Sequence, residues 1–162
     1  MYQWIVFLHV LGAFAFVTAH GGSANVAFKL RRETSRERIA ALLDLSTAFM
    51  SGMLLALLVM LLSGIGLGFL GSWWGKGWIW LALALLLAKM FAMSVMGTRA
   101  FAQVRQAAGL PYFEGTKSHP AGPPASPEEI AARAAAVNPI PTAVVGLGGL
   151  AIIVGLMMFK PF

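Results

Sequence analysis

No cysteine occurs among the 162 residues, so thiolate metal sites, iron–sulfur clusters, thioether-attached haem and disulfides are all excluded. Carboxylates are scarce too, with six Asp and Glu against twelve Lys and Arg. No paired carboxylates, Ser/His/Asp set or phosphate-binding loop can be assembled from the rest, so glycosidase, hydrolase and kinase chemistry lacks residues to carry it. Charge of either sign is rare at 11% of the chain, while 59% is hydrophobic and the mean hydropathy is +0.78. Those values lie far from soluble globular averages and describe an integral membrane protein. The net charge of +6 does not indicate nucleic acid. The basic residues flank hydrophobic runs, where Lys and Arg set orientation against the cytoplasmic leaflet.

A chain of this length has room for about four spans of roughly 20 residues, which makes one membrane domain. The expected spans are Trp4 to Phe28, Leu45 to Leu70, Trp78 to Phe101 and Ile140 to Phe159. The fold class is therefore all-α, an integral membrane four-helix bundle. No basic region precedes the first span and no small-residue cleavage site follows it, so it reads as a retained membrane helix. Thr34 and Glu37 have the spacing of a capping box, which starts the second helix before the membrane. Gly64 and Gly68 form a small-xxx-small pair, a sign of close helix packing. The short turn from Gly71 to Gly77 makes the second and third spans antiparallel neighbours.

Lys29, Arg31, Arg32, Arg36 and Arg38 follow the first span, and Arg99 and Arg105 close the third. These ends belong to the cytoplasm. All five tryptophans fall at the opposite interface, in agreement with that orientation, and both termini are external. A polar connection over 106–138 carries five prolines from Pro111 to Pro127, cannot cross lipid and lies in the cytoplasm. Within it Ser126, Pro127 and Glu129 predict a short surface helix over Glu128 to Val137. His119, beside Pro120, reads as a solvated loop histidine. Asn138 and Pro139 begin the last span.

Three ionisable groups lie where a bilayer would bury them: His9, His20 and Lys89. The histidines are eleven residues apart on one helix, which puts them on nearly the same face but about 16 Å apart along the axis. One iron cannot take both. Neutral imidazole is the commonest metal ligand and a proton carrier. His9, between Leu8 and Val10, is the better ligand candidate, whereas His20 sits in a small polar setting where interhelical hydrogen bonding competes with ligation. Lys89, in the middle of the third span, must face the interior and be neutral, paired or bound to an anionic group. Asp44, the nearest carboxylate in sequence, lies roughly 15 Å away along the normal. Met60 lies near the level of His9, and Met50, Met53 and Met93 near that of His20, although so apolar a chain uses methionine chiefly for packing.

Leu8-His9 early in the first helix, Trp78 and Lys89 in the third, Asn138-Pro139-Ile140-Pro141-Thr142 opening the last and Lys160-Pro161-Phe162 at the end occur in the order of a known family. Together they resemble the four-helix bacterial protoporphyrinogen IX oxidases. The resemblance implies a b-type haem with His9 as ligand, and a substrate- or propionate-facing role for Lys89. That family's further histidines, near the cytoplasmic ends of its first and third helices, correspond here to Phe28-Lys29 and Thr98-Arg99. His20-Gly21-Gly22 has no counterpart there. The run Leu8-His9-Val10-Leu11-Gly12 also looks like the copper-resistance D-type membrane domains.

Three functions are consistent with these residues. The first is a cell-membrane protein holding haem b, which passes electrons or oxidises a small substrate, with His9 as axial ligand, His20 as second ligand or proton-handling group and Lys89 balancing charge. A homodimer follows, because one chain has too few ligands for two bis-histidine sites. The second is a copper-handling or permeation protein with His and Met along a path. The third is a cofactor-free accessory subunit whose glycine-rich faces dock helices of a larger membrane complex.

Overall fold

The computed structural model describes all residues, 1–162, and contains four helices long and apolar enough to cross a membrane. They are α1 (Tyr2–Leu30), α2 (Arg36–Leu70), α3 (Gly77–Ala107) and the last span, α5 (Pro139–Phe159). A multi-pass membrane protein follows from their length and composition. Phe7, Phe14, Leu55, Leu62, Phe91, Val144 and Ile152 all lie on the exposed surface, as lipid-facing positions should.

The first three helices run beyond the expected spans at their basic ends. Arg36 to Asp44 adds more than two turns to α2, and Ala102 to Ala107 extends α3. The extensions are polar on one face and apolar on the other, and the apolar faces pack together through Ile39, Leu43, Val104 and Ala107. The cap of α2 also differs from the Thr34–Glu37 box. Ser35 is the N-cap residue, and the Glu33 carboxylate accepts the backbone N–H groups of Ser35 and Thr34 at 3.1 and 3.0 Å. Those bonds, Ser35 first, hold the Glu33 carboxyl below the usual carboxylate range.

Helices α1 and α2 form a continuous seam. At Gly12 the backbones come so close that a Cβ would lie 3.0 Å from the Met60 nitrogen and 3.2 Å from the Ala56 oxygen. Only a residue without a side chain allows this approach. The Ser23 and Ser46 hydroxyls hydrogen-bond across the seam at 3.2 Å. Midway along, Phe16, Ala56, Leu57, Leu86 and Leu150 make an apolar cluster to which all four spans contribute. At the tryptophan end, a 3-10 turn (Trp73–Gly75) joins α2 to α3, and the Trp78 N–H donates to the Phe162 carbonyl at 3.4 Å.

The proline-rich connection is more structured than its composition suggests. A two-stranded antiparallel hairpin pairs β1 (Tyr112–Glu114) with β2 (Lys117–His119). His119 stacks on Tyr112 at a centroid distance of 4.7 Å and is only partly exposed. The chain returns through Gly122–Pro124, which packs on Gly109, where φ is +75° and a Cβ would meet the Gly122 oxygen at 2.6 Å.

Helix α4 (Pro127–Ala135) begins as its residues predict, with the Ser126 hydroxyl accepting the Glu129 N–H at 3.2 Å. It is a surface helix with one buried face, since Pro127 to Glu129, Ala132, Arg133 and Ala135 are exposed. Ile130, Ala134 and Val137 are buried against Leu30 of α1, Ile39 and Leu43 of α2 and Val104 of α3, which makes α4 a lid across one end of the helices. Replacing the 1%-exposed Ile130 by alanine is expected to cost about 2–4 kcal/mol. Limited proteolysis should then cut within 127–137, which stays protected in the parent chain.

Helix α5 opens on the buried Pro139, with the Asn138 side chain accepting the Ile140 N–H at 3.2 Å. The span expected as one regular helix is interrupted: Pro139–Ala143 is α-helical, Val144–Gly148 is a π turn, and Gly149–Phe159 resumes the α-helix. The reason for the interruption lies on α1.

Candidate functional site

His9 is half-buried, with its Nδ1 2.8 Å from the Met60 carbonyl and 3.3 Å from the Ser63 hydroxyl. A carbonyl only accepts, so Nδ1 carries the proton. In the neutral ring Nε2 then keeps its lone pair. This is the usual arrangement of a ligating histidine, whose second nitrogen is anchored to a carbonyl that fixes tautomer and ring orientation. Gly64 provides the space, since a Cβ there would lie 3.0 Å from the ring carbon Cε1. The glycine of the small-xxx-small pair thus accommodates an imidazole. Its fellow Gly68 accommodates the Trp74 indole. Met60 meets His9 through its backbone oxygen and not its sulfur.

His20 is in a different situation. It is 5% exposed and stacks nearly parallel to Phe16, with ring centroids 6.2 Å apart. Its Nε2 is buried without a hydrogen-bond partner. The ring presses on Gly146, where a Cβ would fall on Nε2 itself. Gly146 is the middle residue of the π turn, and a side chain inserted against a helix backbone is a recognised cause of such local widening. An iron on Nε2 would require this part of α5 to move away.

Lys89 lies against the same Phe16 ring. It is 7% exposed, with Nζ 4.8 Å from the Phe16 centroid and its stem along Gly149. None of the four ion pairs includes it. Asp44 instead pairs with Arg105 at 3.1 Å. A cation–π contact returns less than burial of an ammonium costs. Lys89→Met is therefore expected to stabilise the detergent-solubilised protein by about 1–3 kcal/mol, read as a raised melting temperature. A lowered one would show that an anionic group holds the lysine.

Two separate places result. His9 lies on the α1–α2 seam, while His20 and Lys89 share Phe16 beneath α5. No group of three or more His, Asp or Glu side chains that could hold a metal ion forms anywhere. The position of His20 depends on Gly146, more than a hundred residues away, and only the glycines of the last span hinted at it. No family model, curated protein or solved structure matches the chain.

Proposed function

We propose that this chain is a b-type haem protein of the cell membrane, with His9 supplying an axial ligand through Nε2. The termini are external, and the hairpin and α4 face the cytoplasm. The observation that supports this reading best is the 2.8 Å bond from His9 Nδ1–H to the Met60 carbonyl, which leaves the outer nitrogen free in a fixed direction. In that respect the residues fit a haem. The α1–α2 backbone contact at Gly12 leaves no space for a porphyrin between those helices there. A second copy of the chain, or another subunit of a membrane complex, completes the pocket and supplies the second ligand. Bound haem contributes one-electron chemistry. The protein contributes ligand orientation, exclusion of water, and a proton-carrying capacity at His20 and Lys89. A membrane oxidoreductase or electron carrier is the activity that uses these parts. A copper path has less support, because Met60 meets His9 through its backbone oxygen and not its sulfur.

The test is an absorption spectrum of the purified protein after expression with ample haem, oxidised and dithionite-reduced, with a pyridine haemochrome assay. A reducible Soret band with haem in fixed proportion to protein is expected. A colourless, folded protein sinks the proposal and favours the accessory subunit.

A further inference from the structure

The α1–α2 seam opens into a groove at its basic end. Two adjoining depressions, about 470 and 150 Å³, share Lys29, Leu42 and Leu45. The groove's mouth holds Lys29, Arg32, Glu33 and Arg38. Its deeper part is lined by Val26, Leu42, Leu45 and Phe49, with the Phe49 ring packed over Gly22. On α1 the lining residues Gly22, Asn25 and Lys29 recur at helical spacing on one face. On α2 the face is Arg38, Leu42, Leu45 and Phe49. Cations at one end of a groove thus give way to hydrocarbon about 10 Å further along the helix axis.

Two details suggest what occupies it. Glu33 pairs with Arg38 at 3.9 Å, while Lys29 and Arg32 have no carboxylate, so the mouth is net positive. Asn25 is exposed on a face that must meet lipid and lies one turn deeper than Lys29, and its amide makes no hydrogen bond within the protein. An amide at that depth needs a partner from the membrane. The polar atoms of a phospholipid are ordered in this way, with the phosphate at the surface, ester carbonyls a few ångströms below and then acyl chain.

We infer that the groove between α1 and α2 is a binding site for an anionic phospholipid. Lys29 and Arg32 hold the headgroup phosphate, Asn25 donates to an ester carbonyl, and an acyl chain lies along Leu45 and Phe49. The site is independent of whether His9 carries haem.

The full chain, reconstituted in phosphatidylcholine vesicles, would receive a trace of spin-labelled phosphatidylglycerol or, in parallel, spin-labelled phosphatidylcholine. The motionally restricted fraction is read in each. Phosphatidylglycerol should be preferred by up to about thirtyfold, given two unpaired cations near the surface. The preference should vanish in Lys29→Gln/Arg32→Gln. Asn25→Leu, which changes no charge and leaves an apolar lipid-facing surface, should lower the association of both lipids about two- to threefold. That variant decides the matter if the double substitution does not fold. Equal affinity for the two lipids, selectivity unchanged in the double variant, or an inert Asn25→Leu each overturns the assignment. Displacement of the labelled lipid by inorganic phosphate also overturns it, because the acyl chain would then contribute nothing.

Discussion

His9→Ala should abolish the Soret band while leaving the protein folded. The ring contributes an Nδ1–H bond to Met60 and a contact with Gly64, both on one neighbouring helix. Losing a half-buried imidazole costs roughly 1–2 kcal/mol, which a membrane helix pair in backbone contact at Gly12 can bear. A haem held as proposed would, by contrast, lose the ligand that this chain supplies. Added imidazole should restore a band to the alanine variant by filling the vacated space, a result that a non-specifically adsorbed haem would not give. Ser63→Ala should alter the spectrum little, since the Met60 carbonyl anchors Nδ1 at the shorter distance. His20→Ala should keep the band. A Soret band that disappears in His20→Ala and survives in His9→Ala would reverse the roles of the two histidines.

The second large effect belongs to Gly146. Any side chain at this position collides with His20, a buried ring that stacks on Phe16. Overpacking ordinarily costs 1–3 kcal/mol, and Gly146→Leu is expected at or above about 3 kcal/mol. In practice this means a large drop in melting temperature or in the yield of monodisperse protein. The diagnostic is the double variant. With His20→Ala in the same chain, the added side chain enters the space left by the imidazole, and a favourable coupling of about 1–3 kcal/mol should appear. Strict additivity would show that the ring and the π turn are not in contact.

The sequence made the four spans legible because bilayer thickness writes its own length into the chain. The chargeless run from Leu45 to Leu70 is unmistakable, and the helix beginning at Pro127 was announced by Ser126 and Glu129. The burial of Lys89 followed from its position alone. The start of α2 before the chargeless run was legible from its capping residues, whereas the extension of α3 over Ala102 to Ala107, which packs on α4, was not. Those contacts had a trace in Ile130, Ala134 and Val137, spaced along one face, that the abundance of alanine obscured. The hairpin had a signal as well: Gly115, with φ +61°, opens a two-residue turn between Tyr112–Glu114 and Lys117–His119. The π turn had none. Val144 to Gly148 reads as ordinary apolar helix, and its widening is imposed by a ring on another span. The flanking residues favoured His9 over His20 as a ligand, but they also suggested interhelical hydrogen bonding for His20, whose Nε2 has no partner.

The position of Lys89 between Phe16 and Gly149 also sets an order on biosynthesis. Phe16 is already in the membrane when α3 emerges from the ribosome, but Gly149 is about sixty residues behind and arrives roughly 3–12 s later at ordinary rates of synthesis. For that interval the ammonium group has one wall of its final enclosure and the bilayer, or an insertion factor, on the other side. The chain therefore completes its interior last, when α5 enters and closes over a charge that has been waiting.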